Sequence, residues 1–224
     1  MDNFNINYRR ILPHFQNIGA TFFVTWRLFD SMPKDSIERL KSNWELKQIN
    51  IKRQLKDKIE INKLLKEAEI EYWNSFEKYL DNIKYGSHCL KNPEVAQIVL
   101  EKIKSYDGKY YILEACCIMS NHVHVLLNFN IQIPENEEEF DIRKYVQLDK
   151  VLKYIKGGSS KEINKLLNRS GQPFWNEINF DRYIRNEKHF NSTINYIINN
   201  PVNAGLVINW EDYPYTYLRK IEPN

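Results

Sequence analysis

Two histidines two positions apart sit in an apolar run of the chain, Tyr111 to Phe129, and few other features narrow the possible folds as much. The run reads as two strands around a short polar break at Ser120-Asn121. The second strand is Asn121-His122-Val123-His124-Val125-Leu126-Leu127. Side chains alternate across a strand, so His122 and His124 leave one face while Val123 and Val125 leave the other. At ~3.3 Å rise per residue their Cα atoms lie about 7 Å apart, and two imidazoles at that spacing can converge on one divalent cation or one phosphate. Taken alone, such a pair also describes a half-solvated polar strand face. Ile118 and Met119 before it, and Val125 to Leu127 after it, argue that the histidines have partners or carry chemistry.

The chain of 224 residues is long enough for one sizeable core. Its 42% hydrophobic and 13% aromatic content exclude a disordered chain. A net charge of +3 permits nucleic-acid binding without demanding it. Three cysteines, with Cys116 and Cys117 adjacent, fit neither a disulfide framework nor a zinc knuckle, and point to a reducing interior. With no window near ~18 apolar residues and a polar start, the expectation is a cytoplasmic protein with no membrane span.

Around this hairpin the other elements fall into order. Residues 3–16 are a polar, basic lead-in, and Gly19 to Leu28 is a β-branched and aromatic first strand. From Ile37 to about Ile83 the chain lacks glycine and proline and spaces its apolar residues helically. This predicts one long helix or a helical pair broken between Gln48 and Asn62, with Asp35 or Ser36 as N-cap and mixed charges on a solvated face. Tyr85-Gly86-Ser87 ends that stretch. Asn92-Pro93 opens the next helix as N-cap and first helical position, Asp107-Gly108 turns into the hairpin, and residues 131–141 form an acidic, exposed loop.

A helix from about Leu148 leads to Lys156-Gly157-Gly158-Ser159-Ser160-Lys161. Cations, hydroxyls and bare backbone there suit a phosphate, and a helix–turn–helix junction with a glycine stop suits the same letters equally. Phe174 to Arg185 reads as extended. A helix then opens at Asn186 or Glu187 and runs to Asn200, with Pro201 as its stop. On it Tyr196 and Asn200 are four apart and project together. The tail packs Trp210 and its tyrosines onto the domain.

With these residues laid out, the chain resembles the REP-associated tyrosine transposases and the single-tyrosine transposases of small insertion sequences, within the His-hydrophobic-His (HUH) nucleases. The resemblance covers Ile11 to Leu28 and Asn92 to about Tyr215. It rests on Met119-Ser120-Asn121-His122-Val123-His124 followed by Asn199-Asn200-Pro201-Val202-Asn203-Ala204-Gly205. It implies a single α+β domain over 1–224, with a ferredoxin-like antiparallel sheet packed with helices, and it leaves the charged helical insertion at about 36–84 outside the minimal fold. It implies His122 and His124 as ligands of Mg²⁺ or Mn²⁺, Asn200 as the third ligand and Tyr196 as the nucleophile. The substrate it implies is hairpin-bearing single-stranded DNA, cut to a phosphotyrosine and a free 3′-OH, often by a homodimer. Lys156, Ser159, Ser160, Lys161, Arg182 and Arg185 are the candidate DNA contacts.

The chemistry is consistent with that assignment. A phenol of pKa ~10 is a poor nucleophile unaided, and a divalent ion on the scissile phosphate makes phosphorus more attackable. Two other functions compete with transposition: a catalytically idle nucleic-acid-binding regulator on the same scaffold, and a phosphodiesterase that uses water.

Overall fold

The structure is a computed structural model and describes residues 5–9, 13–82 and 85–220. It divides into two compact units, one formed by the described residues up to Phe29 together with those from His88 onward, the other by Asp30–Ser87.

In the first unit, β1 (Asn5–Arg9) and β2 (Pro13–Asn17) pair antiparallel. The expected polar lead-in is therefore a hairpin, for which Ile6 and Tyr8 alternating with Asn5, Asn7 and Arg9 supply the period of a strand. Arg10 and Ile11, read as part of that lead-in and of the resemblance, lie outside the described residues. Next come β3 (Thr21–Arg27), then, beyond the insertion, α3 (Pro93–Lys104), β4 (Ile112–Ile118), β5 (His122–Asn128), α4 (Leu148–Leu166), β6 (Phe180–Tyr183), α5 (Glu187–Asn203) and β7 (Thr216–Leu218). The five-stranded sheet runs β6-β3-β5-β4-β7 and every pairing is antiparallel. Its first four strands with α3 and α4 are connected β-α-β-β-α-β, the ferredoxin-like arrangement within the α+β class. β7 extends the β4 edge.

The sheet buries both faces. Phe22, Val24, Trp26, Val123, Val125 and Leu127 face the helices that contribute Val95, Val99, Val151, Leu152 and Ile155, which are α3 and α4. Phe23, Ala115, Cys117, Leu126 and Ile197 form a smaller cluster with Phe190, Ile194 and Tyr196 of α5. A bulge at Glu114 lets Leu113 join the first cluster and Ala115 the second, where strict alternation would put both on one face.

Local chemistry explains the element ends. Asn92 Oδ1 accepts from the Glu94 N–H and Pro93 opens α3, as the sequence predicts. Asn186 Oδ1 accepts from the His189 N–H at the start of α5. Two expectations are corrected. α4 runs unbroken through Gly157-Gly158, so there is neither a helix–turn–helix junction nor a bare phosphate loop. A Cβ at Gly158 would stand 3.0 Å from Lys102 Cδ, so its hydrogen side chain serves the close approach of α3. Likewise, α5 does not stop at Pro201. It ends in a Schellman motif in which Gly205, at φ +67°, donates to Val202 O and Leu206 donates to Pro201 O.

The second unit is a helical hairpin, α1 (Lys34–Gln54) and α2 (Lys58–Asn82), broken within the predicted interval. Asp57 Oδ1 accepts from Ile59 N at 2.7 Å and so caps α2. α1 begins at Lys34 with Pro33 as its cap, so Asp35 and Ser36 lie inside its first turn rather than capping it, and the Ser36 hydroxyl bonds Tyr79 Oη at 2.7 Å. Trp44 stacks toward Tyr72 at 5.4 Å and Lys47 pairs with Glu71. Ile83, at the predicted end of this stretch, lies outside the described residues. Among the described residues no helix is long and apolar enough to cross a membrane.

Candidate functional site

Strand alternation places Thr25, His122 and His124 on the face that α5 covers. Pairing of β3 with β5 sets Thr25 opposite His124 and Arg27 opposite His122. His122 and His124 are 1% and 0% exposed. Their Nε2 atoms lie 2.9 Å apart. On the far side of each ring, Asn121 Oδ1 stands 2.7 Å from His122 Nδ1 and Thr25 Oγ1 stands 2.8 Å from His124 Nδ1. α5 lowers Asn200 onto the pair, with Nδ2 at 3.3 Å from His124 Nε2. One turn earlier on the same helix, the Tyr196 ring meets His124 edge-on, centroids 5.2 Å apart. Phe23 stacks on His124 at 5.6 Å and touches Tyr196 at 5.8 Å, closing the apolar side.

Burial strongly disfavours charging these imidazoles. It lowers His122 to about 3, with the nearby His88 adding to the effect, and holds His124 well below its ordinary value, with His122 adding there. Both rings are neutral near pH 7, so each has one N–H and one lone pair. The Asn121 carboxamide oxygen only accepts, which puts the His122 proton on Nδ1 and its lone pair on Nε2. With that lone pair on His122 Nε2, the 2.9 Å contact draws the His124 proton to its Nε2; the Thr25 hydroxyl, which can donate or accept, serves this tautomer and equally the one that frees His124 Nε2 for a ligand. Asn200 Oδ1 is buried and has no hydrogen-bond partner among the described residues. Two neutral imidazole nitrogens and an unsatisfied carboxamide oxygen, brought together from one strand and one helix, form a donor set that suits a divalent cation.

Thus His122, His124, Tyr196 and Asn200, singled out in the sequence, come together. The candidate DNA contacts do not all join them. Lys156, Ser159, Ser160 and Lys161 belong to α4, which packs on the opposite face of the sheet. The Lys156 ammonium donates to Asn176 O at 2.7 Å, to Glu177 O and to Asn179 Oδ1. Ser159 is fully buried, donates to Ile155 O and accepts from Trp175 Nε1. Arg182, paired with Phe23 across β3 and β6, lies on the site face with its guanidinium 5.8 Å from the Phe23 ring. Arg185 is exposed at the foot of α5, where its N–H donates to His189 Nδ1.

Sequence reasoning missed Thr25, Phe23 and the role of Asn121. Asn121 carried a signal, its place directly before His122. Thr25 and Phe23 carried none, because only the β3–β5 register brings them to His124.

The fold and this cluster define a class first: a ferredoxin-like sheet whose inner strand presents a His-hydrophobic-His pair to a helix bearing tyrosine and asparagine four apart. The likeness to a particular group follows from sequence. The chain is 28% identical over 110 residues to a candidate REP-associated tyrosine transposase of Haemophilus influenzae, a match covering 46% of this chain and 56% of that protein. It therefore spans about half the length of this curated relative. A solved structure of a REP-associated tyrosine transposase bound to a REP hairpin aligns with 93% of this chain and 80% of its own, at 15% identity and a TM-score of 0.47. No protein-family profile matches the chain. The resemblance to REP-associated tyrosine transposases drawn from the two motifs stands.

Proposed function

We propose that this chain is a tyrosine transposase acting on single-stranded, hairpin-bearing DNA, with Tyr196 as nucleophile and His122, His124 and Asn200 as the ligands of Mg²⁺ or Mn²⁺. The observation that carries the reading is the Tyr196 ring 5.2 Å from His124, on the same helix face as Asn200. In the step assigned to it, the Tyr196 oxygen attacks phosphorus, an O–P bond to tyrosine forms, and the bond to the 3′ oxygen breaks and leaves a 3′-OH. The phosphodiester energy is retained in the adduct, so a 3′-OH can reverse the step and rejoin strands. A bound divalent cation supplies charge neutralisation and orientation of the phosphate. The chain's part is to keep both imidazoles neutral, to seat the Asn200 carboxamide against them, and to anchor the phenol against Phe23 and His124.

The test is a denaturing gel of labelled hairpin strands from the DNA flanking the gene, incubated with protein and Mg²⁺ or Mn²⁺. A protein–DNA adduct lost in Tyr196→Phe, and lost in His122→Ala or in chelator, is the expected result. Cleavage that persists in Tyr196→Phe would replace this reading by a water-dependent phosphodiesterase. Binding without cleavage would replace it by an idle regulator.

A further inference from the structure

The hairpin turn Ser120-Asn121 lies immediately before the first histidine, and four contacts converge on it. Asn121 is 2% exposed and its Oδ1 meets His122 Nδ1 at 2.7 Å. Its backbone carbonyl accepts from the Leu28 N–H at 2.8 Å. The Ser120 carbonyl accepts from the Leu90 N–H at 3.2 Å, and the Ser120 hydroxyl bonds His88 Nδ1 at 2.8 Å. Leu28 and Phe29 are the last residues before the Asp30–Ser87 unit, and His88 to Leu90 are the first after it. Both roots of the insertion therefore grip one two-residue turn. His88 does so at φ +46°, a left-handed backbone that a residue other than glycine adopts only where its surroundings fix it.

The position of the gripped turn matters chemically. A histidine offers a lone pair at Nε2 only if its proton sits on Nδ1, and the partner at Nδ1 decides that. Asn121 presents a pure acceptor there, whereas Thr25 gives His124 a hydroxyl indifferent to tautomer. The two rings are thus held unequally, the first locked and the second adjustable.

We propose that Asn121 is a positioning residue that locks the His122 tautomer with Nε2 turned into the site, and that the two roots of the helical insertion hold Asn121 in place. The inference rests on the proposed cation site for its consequence.

The experiment uses the full chain with ¹⁵N-labelled histidine in chelator, followed by Mn²⁺ titration. The long-range ¹H–¹⁵N spectrum of the wild type is expected to show His122 as the Nδ1–H tautomer. Asn121→Ala is expected to mix the tautomers and to weaken Mn²⁺ binding about 10–100-fold. Asn121→Asp, which keeps the acceptor, should restore both. His88→Asn tolerates the left-handed backbone but removes the imidazole, and should shift the His122 signal and weaken Mn²⁺ binding in the same direction by a smaller factor. An Nε2–H tautomer in the wild type overturns the proposal without any variant, so it stays testable if Asn121→Ala does not fold. Unchanged tautomer and affinity in Asn121→Ala, or failure of Asn121→Asp to rescue, also overturn it, and an unaffected His88→Asn removes the part assigned to the insertion. Because the tautomer is read without DNA, a locked, Asn121-dependent His122 in a protein that forms no adduct would uphold the positioning role while the transposase reading fails.

Discussion

At the scale of single residues, the site is set by which atom faces which ring nitrogen. Thr25 Oγ1 stands 2.8 Å from His124 Nδ1. Thr25→Val, nearly the same shape without the hydroxyl, should leave the fold intact and weaken Mn²⁺ binding about tenfold, measured by titration of the chelator-treated protein. The two buried histidines also predict a pH effect. Their folded-state values are depressed, His122 to about 3, whereas an unfolded histidine titrates near ~6.5. Below that value the unfolded chain takes up protons that the folded chain refuses. Stability is therefore present above pH ~6.5 and lost as pH falls, by up to about 1.4 kcal/mol per pH unit for each histidine. Urea unfolding of metal-free protein between pH 7 and pH 5 checks this, and His122→Gln should reduce the slope.

At the scale of elements, α4 shows how one pair of glycines admits opposite readings. Gly157-Gly158 can stop a helix or let another helix approach, and the letters are the same. In the structure both are helical; a Cβ at Gly157 would meet nothing within 4 Å, while one at Gly158 would press on the Lys102 stem, whose ammonium pairs with Glu162 at 2.6 Å. Gly157→Ala should therefore raise the unfolding free energy by about 1 kcal/mol, the helix-propensity difference. Gly158→Ala should gain less, because Lys102 must move by a few tenths of an ångström. Denaturant titration of the two variants separates this from a loop, in which neither would gain that stability. In α5, the sequence located the start at Asn186 or Glu187 and the shared face of Tyr196 and Asn200, while the end shifted from Pro201 to Gly205 because the left-handed residue, not the missing N–H, closes the helix.

At the scale of the whole molecule, neither buried cluster of the sheet unit includes a residue from 30–87 among the described residues. The sheet unit thus has its own core, built on both faces of five strands. Joining residue 29 to residue 88 through a short Gly-Ser linker should give a protein that still unfolds cooperatively by circular dichroism.

What the sequence determined by itself is everything governed by short-range periodicity and capping. The two-residue repeat of a strand put His122 and His124 on one face, the four-residue repeat of a helix put Tyr196 over the same turn as Asn200, and Asn92-Pro93 started α3. The resemblance to a transposase group followed from those same local motifs. Only the tertiary structure decided which distant groups complete the site. Thr25 reaches His124 across 99 residues through strand register, and Asn200 reaches it across 76 through the seating of α5 on the sheet. It also turned Lys156 toward the backbone carbonyls of residues 176 and 177 and Ser159 toward the Trp175 indole, partners that the sequence did not indicate. Periodicity is a property of neighbours along the chain, whereas the register of a sheet and the docking of a helix depend on how the whole core packs.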